Sequence, residues 1–555
     1  MTATPHAIPN LGRPGRVADS YVHGLALLDP GAAQVTGRES VRPWAALGPR
    51  AVADRAALTA STLAEVDRPS EEPTTRAGAV LRLALSERLR SDLALHDSGF
   101  TPGLVAPLAS PAHAVMMGLE SAPSEQRVEG LTRVPVALRD YAEQLEETAA
   151  RGYVVPARQS RTLAAQVRRW ADPEGDDRLG ALLSDAGSGP DRPEAATALA
   201  DARAACRALA TWLEEVHAPR GATADAVGRD LYGITSRAFL GTSVDLDETY
   251  AYGWDRLREL TAQAQTLAAE LGADSLDEAA AQLDADPTGR VAVGPDLVDW
   301  VETRMTQAAT RLQGSVFDIP AGSRCGAVLA APGSGSIYYS PPDPAGTRPG
   351  RVVWSTPTGA MDVPVWREVS TVHHEGLPGH HLQHVVTMST ESLHPWQRYL
   401  CHVHGYAEGW AHYTEGRAAD WGLIQHPGEQ LGVVLAQRWR AARIVIDMGL
   451  HLGYPIPSGN DFTQATRWTR EVGVEVLMQA AGCDAETARF EVVRYLGWPG
   501  QALAFSMGAR LWEQAREVAM RRGTLDERSF HRQALALGPM GMAPLQTTLE
   551  DLAHA

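Results

Sequence analysis

Residues 371–384 read Thr-Val-His-His-Glu-Gly-Leu-Pro-Gly-His-His-Leu-Gln-His, and five of the chain's 18 histidines fall within these fourteen positions. Neutral imidazole is a common metal ligand, and zinc favours nitrogen and carboxylate donors in tetrahedral sites. In the His-Glu-x-x-His pattern of zinc proteases, four residues turn about 400°, so both rings share one helix face and the Glu beside the first His acts as general base. Here the fourth residue after His374 is Pro378, and the next histidine is His380. Six residues turn about 600° on a regular helix, which sends His374 and His380 to different faces. A straight helix would instead align His373 with His380, or His374 with His381. Pro378 opposes a straight helix, because it lacks an N–H and its ring clashes with the carbonyl four residues back. Gly379 relaxes the backbone further. The expectation is a kink or bulge across Pro378–Gly379 that absorbs two residues and brings His380 round to His374. Glu375 is then the expected general base, and His381 is the alternative second ligand.

A second stretch supplies what the first lacks. Residues 404–415 read His-Gly-Tyr-Ala-Glu-Gly-Trp-Ala-His-Tyr-Thr-Glu. Glu408, His412 and Glu415 stand at i, i+4 and i+7, on one helix face. Glu408 follows His380 by 28 residues, enough for a loop and a returning helix. A His374–His380–Glu408 set leaves the fourth zinc position to water, as catalytic sites do. His412 and Glu415 are expected behind the ligands, orienting them. Tyr406, Trp410 and Tyr413 crowd the same helix and predict its burial, and buried carboxylates need a partner such as a metal.

Outward from these stretches the chain reads as mainly α. From about residue 16 to 271 the texture is helical: 124–152 and 196–221 carry apolar residues three and four apart and stop at Gly or Pro-Arg-Gly. Between them, 172–194 is polar and rich in Gly, Pro and Asp, and is expected to be a surface connection. Near Pro320 the texture changes. Short β-type runs at Gly326–Ala330, Ile337–Ser340 and Arg351–Ser355 sit among Gly and Pro, predicting one small sheet just before the metal-site helix. Helical texture returns from about Pro364. The division expected is a helical region over 1–320 and a metal-binding region over 321–555, integrated as one unit.

Composition narrows the function classes. The 555 residues carry 50 basic against 67 acidic side chains, a formal net charge of −17, which disfavours a nucleic-acid binder or an anionic membrane surface. Every basic residue is Arg; with no Lys, Schiff-base chemistry and the phosphate-loop lysine are excluded. Cys206, Cys325, Cys401 and Cys483 are far apart and form no CxxC pair, so a disulfide scaffold or cysteine zinc knuckle is not expected. There is no run of about 18 apolar residues and no apolar leader core in residues 1–16. These features together lead to the expectation of a cytoplasmic protein. The oligomeric state is not legible.

The motifs His-Glu-Gly-Leu-Pro-Gly-His-His-Leu-Gln and Glu-Gly-Trp-Ala-His-Tyr-x-Glu resemble the bacterial family called "domain of unknown function 885". The resemblance continues through Arg443-Ile-Val-Ile-Asp-Met-Gly-Leu-His451 and Arg494-Tyr-Leu-Gly-Trp-Pro-Gly-Gln-Ala-Leu-Ala-Phe-Ser-Met-Gly508, over roughly the last 200 residues. It implies a mostly helical, zincin-like fold related to the oligopeptidases, and a zinc metallopeptidase with His374, His380 and Glu408 as ligands and Glu375 as base. Phe505 stands where a Tyr is expected in many relatives.

Further candidates follow from residue type and spacing. Asp447 and His451 lie one helical turn apart and are read as a carboxylate–imidazole pair, with His451 or Tyr495 as the donor to an oxyanion. Arg494 is the candidate anchor for a peptide carboxylate, Arg443 the structural partner of Asp447, and Arg351–Ser355 the edge for an extended peptide. The substrate class expected is a peptide or small amide. The rival readings are hydrolysis of a non-peptide amide or ester, and metal binding without turnover.

Overall fold

The 26-residue helix Pro427–Leu452 runs about 39 Å through the interior. Its run Leu-Gly-Val-Val-Leu-Ala and later Ile-Val-Ile-Asp-Met-Gly-Leu are apolar on every side, the pattern of a buried helix. Gly453, at φ +69°, ends it in the left-handed conformation that glycine adopts at no steric cost. The computed structural model describes residues 11–38, 43–184, 193–331, 337–342, 348–521 and 525–554. The first ten residues, read above for a leader, and 185–192 of the polar connection lie outside them.

Around the long helix the chain is mainly α. One apolar core joins Leu246–Glu270 to Pro427–Leu452, Arg470–Ala481 and Ala485–Gly497. A second joins Gly12–Leu25 and Arg76–Asp97 to Pro295–Leu312, His404–Arg417 and Ser506–Arg521. Both cross residue 320. A third is built wholly from residues 44–213, chiefly the helices Pro111–Ser121, Arg127–Ala150, Ala157–Trp170 and Pro193–Trp212. The polar connection holds a short helix, Arg178–Ser184, whose Leu179, Leu182 and Leu183 enter that third core. Among the described residues no helix is long and apolar enough to cross a membrane.

The three β runs form strands close to where the sequence puts them: β2 is Gly326–Leu329, β3 Tyr338–Ser340 and β4 Arg351–Trp354. They make a mixed sheet in the order β2-β4-β3, with β2 parallel and β3 antiparallel to β4. Two expectations change. The described residues hold two small sheets, because β1 (Arg290–Ala292) pairs antiparallel with β5 (Asp362–Pro364). Three-residue strands are too short for a period of two to register. And β4, expected to offer an edge, is central and paired on both sides; the edge strands are β2 and β3.

Candidate metal centre

The helix Glu368–Glu375 stops at Gly376, and a new helix, His380–Ser389, begins four residues later. The Leu377–Pro378 peptide between them is cis. Gly379 is required there: a Cβ would lie 1.9 Å from the His374 carbonyl oxygen. The indole N–H of Trp410 donates to the Pro378 carbonyl at 3.0 Å, tying the reversal to the helix His404–Arg417. This break brings His374 and His380 together, their ring centroids 4.8 Å apart and edge to face.

Glu408 meets both. Its Oε2 lies 3.3 Å from His374 Nε2 and 3.6 Å from His380 Nε2, and the three donor atoms fall within 4.8 Å of one another. Two donors 2.0–2.1 Å from a tetrahedral zinc are about 3.3–3.4 Å apart; the two Glu408–histidine distances are close to that spacing, and the donor types suit such an ion. His381 turns away: its Nδ1 meets the Tyr339 hydroxyl at 3.1 Å and its Nε2 the Ser323 carbonyl at 3.2 Å. Glu415, fully buried, binds His374 Nδ1 through Oε1, which fixes the ring and leaves Nε2 free for a ligand. His412 Nδ1 is 3.5 Å from the same oxygen.

The electrostatics favour a cation between these groups. Burial opposes the charge on His374, yet Glu415 and Glu408 raise its pKa to about 10. Burial likewise opposes the charge on Glu408, but the two histidines hold its pKa well below the usual carboxylate range. Glu415 is held low in the same way, against burial, by Arg440 and His374. Glu375 differs: burial raises its pKa, with His374 and His380 only partly opposing. Its Oε2 accepts the Tyr339 N–H at 2.8 Å, a bond given by the open side of β3. His374, Glu375, His380 and Glu408 line a cleft of about 670 Å³ walled also by Tyr338, Tyr339, His384, His402, Arg440 and Arg443.

Several expected site residues lie elsewhere. His451 is buried, and its Nε2 donates to the Tyr495 carbonyl at 3.1 Å. The Tyr495 hydroxyl donates to Glu491 at 2.7 Å and accepts from Arg443 Nε at 3.1 Å. Neither residue lines the cleft, so neither faces an oxyanion formed there. Asp447 sits 3.6 Å from His451 but accepts from the Tyr232 hydroxyl and the Gly500 N–H, with no contact to the ligands. Arg494 is bound by Glu491 and Gln501 and faces a different groove. Arg443 pairs with Glu491 at 3.0 Å and not with Asp447. Helical spacing shows that residues share a face; it does not show which face.

Sequence reasoning missed Tyr339 and Arg440. For Arg440 a signal was present: Arg438, Arg440 and Arg443 recur in a helix otherwise apolar all round, and Arg is rarely buried unless paired. Phe505 lies nearly parallel to the His374 ring, centroids 6.2 Å apart at 17°, and the Arg443 guanidinium sits 4.4 Å from the Phe505 ring centroid.

The fold and the site define a mainly helical protein with a His-His-Glu centre at the floor of a cleft. Residues 30–549 match the family described as "Bacterial protein of unknown function (DUF885)", and the chain belongs to it. No curated protein matches the sequence. Two solved structures share the fold. One, of a candidate lipoprotein from Colwellia psychrerythraea, is 17% identical with a TM-score of 0.80, covering 98% of this chain and 100% of that one. The other, a candidate lipoprotein of unknown function from Shewanella oneidensis, is 16% identical with a TM-score of 0.72, covering 97% and 99%. These neighbours overturn the expectation of a cytoplasmic protein, since the name they carry belongs to membrane-anchored, extracytoplasmic proteins. The four cysteines behind that expectation are free, and free thiols report the lack of a disulfide rather than a compartment.

Proposed function

We propose that the chain is a zinc-dependent hydrolase of peptide bonds. The observation that carries this reading is the convergence of His374, His380 and Glu408 within 4.8 Å, with Glu375 beside them in the same open cleft and outside the ligand set. A purely structural zinc site is usually closed by four protein ligands. The nitrogen-rich donor set suits zinc.

When bound, zinc supplies Lewis acidity toward the scissile carbonyl and lowers the pKa of a water. Glu375 accepts a proton from that water and delivers it to the leaving nitrogen. The Tyr339 N–H holds one Glu375 oxygen and so aims the other into the cleft. Glu415 keeps His374 in the tautomer and orientation a ligand needs. The open edge of β3 offers backbone groups to an extended peptide lying across Glu375.

The test combines elemental analysis with a pooled peptide library read by mass spectrometry. The wild-type chain is expected to hold one zinc and to cleave peptides. Glu375→Gln should keep its zinc and lose ~100- to 10,000-fold in rate. Equal cleavage by wild type and Glu375→Gln would sink the mechanism.

A further inference from the structure

The buried helix Pro427–Leu452 carries two guanidinium groups into the cleft, three residues apart on one face, Arg440 and Arg443. Arg440 has no ion-pair partner among the described residues. Its one hydrogen bond, to the Ala436 carbonyl, is 3.5 Å long, and its Nε is buried without a partner. Arg443 is 7% exposed; Glu491 and Tyr495 take its Nη2 and Nε, while its Nη1 is buried and unpartnered. Leaving guanidinium donors unsatisfied is costly, and Arg440, which lines the cleft with no ion pair and one long hydrogen bond, has room for an acceptor there.

The position of this wall relative to the metal centre is set by stacking. The His374 ring lies on Phe505 at 6.2 Å, and Phe505 lies on the Arg443 guanidinium at 4.4 Å. One aromatic ring therefore separates a metal ligand from the arginine pair. An extended chain advances about 3.3–3.6 Å per residue, so a group held at the wall belongs to a residue close behind the bond being cut. A planar guanidinium fork matches a carboxylate in shape and charge.

We propose that Arg440, supported by Arg443, forms a subsite for a substrate carboxylate within a few residues of the scissile amide. Resting on the hydrolase reading above, this makes the protein selective for a carboxylate-bearing peptide, either through a free C-terminus or through an acidic side chain at the same place. Burial lowers the Arg440 pKa, with Glu415 opposing, so the group is poorly solvated before a substrate arrives.

The test is calorimetric binding to the zinc-loaded Glu375→Gln protein, with Ala-Ala-Ala, its C-terminal amide, and Ala-Ala-Glu amide as probes. The free acid is expected to bind at least about tenfold tighter than Ala-Ala-Ala amide. In a second protein that also carries Arg440→Gln, the gap should shrink to about twofold with zinc content unchanged, and Arg440→Lys should restore part of it. Tight binding of Ala-Ala-Glu amide assigns the subsite to a side-chain carboxylate, and weak binding assigns it to the C-terminus; both support it. Acid and amide binding equally, neither binding, or a gap that survives Arg440→Gln overturns the subsite. Zinc content and the Glu375→Gln rate are read separately. A zinc-free or Glu375-independent protein that still shows the Arg440-dependent gap would sink the hydrolase reading and leave the subsite standing.

Discussion

A single carboxylate, Glu415, shows how the ligand geometry is held. It is fully buried, it binds the Nδ1 of His374, and Ser370 donates to its other oxygen at 2.5 Å. Removing its charge while keeping its shape leaves the ligand in place but lets the ring turn. Glu415→Gln is therefore expected to weaken zinc binding by ~10- to 100-fold with the three ligands intact, measured by competition with a chromogenic chelator. Affinity within a factor of two of wild type would mean that packing alone, chiefly Phe505, orients His374. At this scale the sequence was informative where chemistry is local. His374, His380 and Glu408 come together through the break at Pro378–Gly379, with Glu375 and Glu415 beside them. His451, Tyr495, Arg494 and Asp447 stand out for what their side chains are able to do, and each is committed elsewhere: Tyr495 and Arg494 to Glu491, one turn earlier on the same helix, and His451 and Asp447 to the Tyr495 carbonyl and Tyr232, which no local spacing reveals.

Among elements, the helix break at Pro378–Gly379 was legible because proline and glycine act on their own backbone. The crossing of His404–Arg417 with Ser506–Arg521 was not, since it depends on two glycines a hundred residues apart. A Cβ on Gly409 would stand 2.6 Å from the backbone of Gly508, and one on Gly508 would stand 2.7 Å from Gly409 Cα. The two helices touch through bare backbone, and Glu408 sits beside the contact. Gly409→Ala must push the helices apart, an overpacking expected to cost about 1–3 kcal/mol. It should also draw Glu408 away from the histidines. Thermal unfolding and zinc stoichiometry measured on the same variant check both. Full stability with full zinc would show that the crossing relaxes without moving its neighbour. The β runs were legible as strands for the ordinary reason that β-branched and aromatic residues cluster between turn residues. Which strand is central follows only from pairing, so β4 reads as an edge in the sequence although it is paired on both sides.

For the whole molecule, acid stability reports on the buried ion pairs that hold its helices together. Glu491, 8% exposed, lies between Arg443 and Arg494. Burial works against its charge, but the two arginines hold its pKa at about 2, against an ordinary 4.5. A depressed carboxylate pKa contributes stability that is present above the unfolded value and is lost as pH falls through the folded one. The window is therefore pH 4.5 down to about 2, and the contribution is at most on the order of 3 kcal/mol. Glu491→Gln should lower stability at pH 7, where two arginines lose their partner, and should flatten the fall in stability across that window. Denaturant unfolding at pH 7, 4 and 3 measures it; an unchanged slope would mean that Arg443 and Arg494 do not set the Glu491 charge. The mainly helical character of the chain could be anticipated from its texture. The third core, closed on itself within residues 44–213, could not. Its separateness matters for motion. No residue of the three ligand helices belongs to it, so its amide protons are protected by its own opening free energy. Ligands taken up in the cleft can quiet the backbone around His374 and Glu408 while this block continues to breathe at its own rate.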